Sequence, residues 1–311
     1  MSKIGYCIAC ALLCANAFAL EAQQITSPDG DLFLKVNVDG NGQPVYSLKY
    51  KGNPLVNKSH LGLSGKEADF VKGFIVQHVD STTCDEVWEP VWGEYSKVRN
   101  HYNEMSVMFS KNDTLMRIRF RLFNDGLGFR YEFPEQKNVN YLTLMDESTE
   151  FNMPGDYMMY CIPGDYDTDE YLYVQAPMSR TGDSIRKRKG RHSESQAIGG
   201  VSVQTPLLMK SPDGKQYINI HEAALVGYPA MALDVDTCTY SLSAHLTPDR
   251  NGVAAYLQLP FNTPWRTIIV SDDARDILAS QLIYNLNEPC KLEDVSWITP
   301  QKYIGVWWEM F

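Results

Sequence analysis

Cysteine is scarce where it would matter. Past the first two dozen residues the chain has Cys84, Cys161, Cys238 and Cys290, far apart and with no Cys-x-x-Cys pair. That excludes a zinc ribbon, which needs its cysteines close together in pairs. Four cysteines allow three disulfide connectivities, but a core of this size does not depend on staples. Buried free thiols are therefore expected. No apolar run reaches the roughly 20 residues of a membrane span. Basic excess is lacking too: the formal net charge is -10, which argues against nucleic acid, whose backbone calls for a basic surface. The one basic run, Arg186-Lys187-Arg188-Lys189 with Arg191 and His192, has no interleaved aromatics and reads as a solvated loop. Internal repeats and low-complexity linkers are absent, and helix signals are few.

The opening residues read as a leader rather than as fold. Lys3 supplies a basic start, Ile4 to Leu13 is apolar, and Ala17-Phe18-Ala19 has the small-x-small form of a cleavage site. Leu20-Glu21-Ala22 is a second candidate cut. This is the pattern of a secretory signal peptide over residues 1–22, and it places the protein in the periplasm. A lipid anchor is the weaker reading, because Leu13 precedes Cys14 where a small residue is expected. Cys7 and Cys10, which imitate a redox pair, belong to this leader.

What the chain does have is alternation with period two. Leu32, Leu34, Val36 and Val38 face one way, Gly40-Asn41-Gly42 turns, and Tyr46, Leu48 and Tyr50 alternate back. Met116, Ile118, Phe120 and Leu122 alternate with arginines, Asn124-Asp125-Gly126 turns, and Phe129, Tyr131 and Phe133 follow. Such patterns make antiparallel hairpins with one buried and one wet face. Further strands are predicted at 105–109, 217–220, 240–245, 254–259, 267–270 and 282–286. A short helix is predicted from Asp272 to Ser280, capped by Ser271. The fold class is all-β, a large antiparallel sandwich.

Candidate chemistry is sparse. Acid–base chemistry on a bond needs a pair of positioned carboxyl groups, and Glu222 beside His221 is one candidate, although adjacent strand residues point to opposite faces. Glu86, Glu89 and Glu94 surround Trp88 and Trp92 and could line a sugar-binding face. The densest acidic stretch is "GDYDTDEY", Gly164 to Tyr171. Asp165, Asp167 and Asp169 imitate positions one, three and five of a calcium loop. Position six is Glu170 instead of Gly, and position twelve is Ala176 instead of Glu, so the helix-loop-helix motif fails. The flanks, "CIPG" and "YLYV", are strand-like. The last residues, Tyr303 to Phe311, have the pattern of a buried strand with two tryptophans.

That last stretch, "KYIGVWWEM", resembles the first barrel strand of glycoside hydrolase family 97, the group of periplasmic α-glucosidases of starch-utilisation systems. "EPVWGEYSKVRNHYNEM", "RFRLFNDGLGFRYEFP", "IPGDYDTDEY", "INIHEAALV", "NTPWRTIIVSDDARDILAS" and "NLNEPCKLEDVSWITPQKYIGVWW" agree. The match runs from Gln24 to Met310 and is poor between Tyr171 and Val201. The resemblance implies a galactose-mutarotase-like β-super-sandwich over residues 23–298 and the start of a (β/α)8 barrel over 299–311. The general acid and the base or nucleophile of the family lie on later barrel strands, so no catalytic residue is expected in this chain, and alone it is expected to be inactive.

The resemblance further implies calcium in the active site, with one glutamate from this domain matching Glu170. Asp165, Asp167 and Asp169 would then shape the turn behind it. Trp307, at the active-site end of the barrel strand, would stack on a sugar ring. The implied substrates are malto-oligosaccharides and the implied mechanism is inverting. A retaining α-galactosidase branch and a non-catalytic carbohydrate-binding sandwich are the alternatives. The loop from Ser184 to Ser195 is a further candidate to reach substrate.

Overall fold

The computed structural model describes residues 22–189 and 196–305. The leader, apart from Ala22, and Trp307 lie outside the described residues, so neither expectation is placed in the fold. About half the chain, 49%, is strand against 8% helix, which makes the domain all-β.

One large sheet organises the described residues. Its order is Val174–Pro177, Met158–Cys161, Leu207–Lys210, Tyr217–Ala223, Trp265–Ser271, Gly126–Phe133, Thr114–Phe123, Val98–Lys111 and Ile75–Trp88, with Phe261–Asn262 added beside Gly126–Phe133. Three four-stranded antiparallel sheets face it. Their rings cross the interlayer space onto the large sheet. Tyr46 and Phe151 meet Phe129 at 5.4 and 6.2 Å, and Phe70 meets Phe133 edge-on at 4.7 Å. A single apolar core therefore joins all four sheets, as a sandwich of inward-facing alternate residues requires.

The alternation seen in the sequence sets the register. Leu127 pairs with Leu122 and Phe129 with Phe120 across the Asn124-Asp125 turn. The outer face of this hairpin refines one expectation: its arginines are only half-buried, but its acids are covered. Glu104 and Glu132 are buried, and Arg119 and Arg121 reach them across the strands, Arg121 Nε to Glu104 Oε2 at 2.7 Å and Arg119 Nε to Glu132 Oε1 at 2.6 Å. Paired charges of opposite sign let a charged face be covered.

Among the described residues three α-helices interrupt the strands: α1 (Thr181–Lys189), α2 (Ala274–Ala279) and α3 (Leu282–Leu286). Helix α1 corrects the solvated-loop reading of the basic run. Its four basic residues fill the last turn, where they suit the helix dipole, while Thr181 and Ile185 bury one side. Helix α2 is capped by Asp273, not Ser271, and starts two residues later than predicted. Helix α3 replaces the strand predicted at 282–286. Its buried residues are Leu282, Asn285 and Leu286, a helical spacing. Leu282 and Leu286 pack onto the outer face of the large sheet because Gly126 and Gly128 leave it bare of side chains. The thiols are free as expected, but Cys238 and Cys290 are exposed and Cys84 is half-buried, leaving Cys161 as the buried one.

Candidate functional site

The acidic stretch occupies the loop between Met158–Cys161 and Val174–Pro177, which pair antiparallel at the edge of the large sheet. Only the loop's base is strand; Leu172 and Tyr173 are exposed, so the strand-like reading of "YLYV" is corrected to Val174 alone. Gly164 passes so close to Ser202 that a Cβ there would lie 2.5 Å from its hydroxyl. Backbone bonds from Gly164 to Ser202 and from Ile198 to Gly164 fix this entry point.

Asp165 then builds the turn. Its Oδ1 accepts from the amides of Asp167, Thr168 and Gln196 at 2.9, 3.1 and 3.3 Å, and its Oδ2 accepts from the Tyr171 hydroxyl at 2.7 Å. Partial burial pushes the Asp165 carboxyl up, but these donors outweigh it and hold the group below the usual range. Gln204 Nε2 donates to the Thr168 carbonyl at 2.7 Å, and Thr168 Oγ1 accepts from the Glu170 amide at 3.2 Å. Tyr166 leaves the loop toward His245, with 2.7 Å between its hydroxyl and Nε2.

The outcome is a division of labour among the acids. Asp165 is the turn former, as expected; Asp167 and Asp169 stand exposed and make no such bonds among the described residues. Glu170 is exposed, and its carboxylate has no partner among the described residues. Its backbone is held while its oxygens remain available. An oxygen donor on an ordered loop suits a hard cation such as calcium, and six to eight oxygens are needed in all. Among the described residues no cluster of three or more His, Cys, Asp or Glu could hold a metal.

Helix α1 flanks this loop. Lys189 Nζ donates to the carbonyls of Ile198 and Gly200, and burial lowers its pKa. The candidate loop from Ser184 to Ser195 is thus helix as far as Lys189, and residues 190–195 lie outside the described residues.

The other candidates separate cleanly. Glu222 faces the core, where it accepts from Arg266 Nη1 and from the Met231 amide. Burial raises its carboxyl in spite of Arg266. His221, one residue earlier, sits 3.2 Å from the Thr205 hydroxyl, its pKa lowered by burial and then by Arg266. The two are structural. Glu86, Trp88 and Glu89 do converge, with Asn100, Tyr284 and Asn285, on a cavity of about 510 Å³. Trp88 Nε1 donates to Asn285 Oδ1 at 2.8 Å, and Asn100 Nδ2 to Glu86 Oε1 at 2.8 Å. Trp92 and Glu94 do not line it. Tyr284 and Asn285 come from helix α3, which the strand reading of 282–286 hid; the Leu282, Leu286 spacing was the available signal.

The family described as Glycosyl-hydrolase 97 N-terminal matches residues 25–289. A glycoside hydrolase family 97 enzyme from Pseudoalteromonas sp. strain K8 has been solved in complex with acarbose and, as a variant, with panose. It shares 36% identity at a TM-score of 0.80, over 93% of this chain and 41% of its own. A retaining alpha-galactosidase from Bacteroides thetaiotaomicron is 23% identical over 99% of this chain and 47% of its own. A beta-arabinopyranosidase structure, 24% identical with a TM-score of 0.67 over 80% of this chain and 40% of its own, shares the fold. The chain spans less than half the length of these relatives.

Proposed function

Because this chain belongs to the glycosyl-hydrolase 97 family through its N-terminal domain, we propose that it serves a calcium-dependent α-glucosidase-type hydrolase acting on malto-oligosaccharides. The observation that carries this reading is the 36% identity to an enzyme whose structures hold panose and acarbose, against 23% to a retaining alpha-galactosidase. Panose is built of α-linked glucose, which favours the glucosidase branch.

In this reading Glu170 supplies one carboxylate to the metal. Calcium, when bound, orients sugar hydroxyls and neutralises carboxylate charge near the scissile bond. The chain's own contribution is positional. Asp165 and Gln204 hold the backbone of the loop, so the Glu170 carboxylate meets its site without ordering the turn first. Trp307 is the proposed stacking residue for a sugar ring, on the strength of the resemblance alone. The proposed compartment is the periplasm, on the leader pattern.

The test is hydrolase activity of a longer polypeptide in which this chain is followed by a catalytic barrel of the family. Glucose release from maltoheptaose that falls with EDTA, returns with calcium and is lost in Glu170→Gln is the expected result. Galactose release from an α-galactoside without glucose release would select the alpha-galactosidase branch. Glucose release indifferent to EDTA would overturn the role of the metal.

A second reading, carbohydrate binding without chemistry, is favoured by the cavity that Trp88 and Tyr284 line. Aromatic walls with carboxylate and amide acceptors suit sugar hydroxyls. Titration of the chain with maltoheptaose, compared with Trp88→Ala, decides it. No heat at about millimolar sugar, where binding would still be worth about 4 kcal/mol, would remove this reading.

A further inference from the structure

Tyr166, His245 and Asp234 form a hydrogen-bonded series from the acidic loop into a neighbouring sheet. The Tyr166 hydroxyl lies 2.7 Å from His245 Nε2, and His245 Nδ1 lies 2.9 Å from Asp234 Oδ2. The two rings also lie against each other, with centroids 5.8 Å apart. Asp234 and His245 sit on paired strands, Met231–Asp236 and Ser241–Leu246, so the rigid sheet sets their geometry. A carboxylate only accepts, so Nδ1 carries a proton. In the neutral ring Nε2 then accepts from Tyr166. In the imidazolium Nε2 donates to the tyrosine oxygen, and Asp234 faces a full positive charge. The series survives in both states and is charge-assisted in the protonated one.

We propose that His245 is a positioning residue that clamps the loop carrying Glu170, gripping it through Tyr166 and gripping harder when protonated. The inference rests on the reading of Glu170 as a metal arm. Asp165 and Gln204 shape the loop and tie it to the segments around 196 and 204. Tyr166 ties it to the Ser241–Leu246 strand, so the clamp adds a second anchor rather than repeating the first.

The charged groups around His245 agree in sign. Asp234 faces it from the paired strand and Asp146 from the strand Tyr141–Glu147, while Lys189 at the end of α1 faces Asp234 and Asp165. The Asp234 hydrogen bond raises the pKa of His245 against the opposing effect of burial, and the Asp234 and Asp146 charges add to it. Burial raises Asp146 itself. A folded pKa above the unfolded value keeps the protonated, charge-assisted state of the series populated below the folded pKa and leaves the neutral state above it.

Hydrogen–deuterium exchange on the chain tests the clamp. Protection of amides 165–171, corrected for the intrinsic rate, is expected to fall roughly three- to tenfold between about pH 6 and about pH 9, the difference between a charge-assisted and a neutral hydrogen bond. Tyr166→Phe keeps the ring but not the hydroxyl, and is expected to lower protection at both pH values and to flatten the pH dependence. His245→Gln, which does not titrate, is expected to flatten it too. Amides of Trp265–Ser271 should not respond. Flat protection in the unaltered chain, or a pH dependence that persists in Tyr166→Phe, would overturn the proposal. A calcium response that survives Glu170→Gln in the active polypeptide would sink the metal reading instead. The exchange data decide the clamp on their own.

Discussion

Arg266 donates two hydrogen bonds to Glu147, from Nε to Oε1 at 2.8 Å and from Nη2 to Oε2 at 2.6 Å, and both side chains are buried in the core. Thr149 and Tyr228 donate to the remaining lone pairs of Glu147 at 2.8 and 2.9 Å, and Arg266 also reaches Glu222. The guanidinium ties three strands together: its own, Tyr141–Glu147 and Tyr217–Ala223.

The two carboxylates are not equivalent, and that orders the first prediction. Burial raises both. At Glu147 the bidentate Arg266 outweighs burial and holds the carboxyl below its usual range; at Glu222, with one bond from Arg266, burial wins. Removing Arg266 strands two buried acids, so Arg266→Met should cost about 3–5 kcal/mol. Glu147→Gln should cost less than that, and Glu222→Gln least. Urea unfolding midpoints measure the order, and a Glu222 variant less stable than the Glu147 one would reverse the argument. The depressed Glu147 contributes stability above its unfolded pKa, and that contribution is lost as pH falls through the lower folded value.

The seat of helix α3 gives the second prediction. A Cβ at Gly126 would stand 2.4 Å from the backbone oxygen of Ile268, which cannot move without shifting a central strand. A Cβ at Gly128 would stand 2.5 Å from the end of the Leu286 side chain, which can rotate away. Overpacking typically costs about 1–3 kcal/mol. Gly126→Ala should sit at or beyond the top of that range and Gly128→Ala near the bottom. Thermal unfolding of the two variants gives the comparison; equal losses would mean that the helix, not the sheet, yields at both.

The paired glycines also show where the sequence was legible and where it was not. The hairpins were readable because Met116 to Leu122 and Phe129 to Phe133 alternate strictly, and one slip would turn every apolar residue outward. "LIYNL" was not, because a short, mostly apolar run fits a strand or a short helix equally; what chose the helix was the bare strip at Gly126 and Gly128, more than 150 residues away. The basic run reads as a loop in sequence because Thr181, Gly182 and Ile185, which mark its buried side, include a single large apolar residue. At the site, the spacing of "GDYDTDEY" ruled out a helix-loop-helix ligand set and singled out no turn former. That Asp165 shapes the turn follows from contacts with Gln196 and Tyr171, and that Tyr166 meets His245 from a contact 79 residues distant.

The third prediction concerns activity. Glu222 is held by Arg266 in the core, and Glu86 is bonded to Asn100, so neither is placed as an acid or base beside a bound sugar. The purified 311-residue chain should release no glucose from maltose or maltoheptaose and no galactose from an α-galactoside. Robust release that EDTA abolishes would show that carboxylates of this chain suffice.

The last prediction returns to Asp165. Four donors converge on one carboxylate, which holds a loop with little apolar burial of its own. Asp165→Ala removes all four acceptor contacts and should raise amide exchange across 165–171 and at 196–198. The fold itself should hold, because Met159, Val174 and Ala176 at the loop's base stay packed in the core. Asp165→Asn keeps one acceptor oxygen and should fall between. Because the folded pKa of Asp165 is depressed, its hold on the loop is present above the unfolded value, about 3.8–3.9, and is lost as pH falls through the lower folded one. His245 works in the opposite direction, at higher pH. Protection of 165–171 should therefore be greatest in the acidic range between the two titrations, and Asp165→Ala should abolish the acid limb while leaving the His245 limb. Exchange across that range in the unaltered chain and in Asp165→Ala checks both, and a loop equally protected in the two would mean that Gln204 and Tyr166 alone suffice.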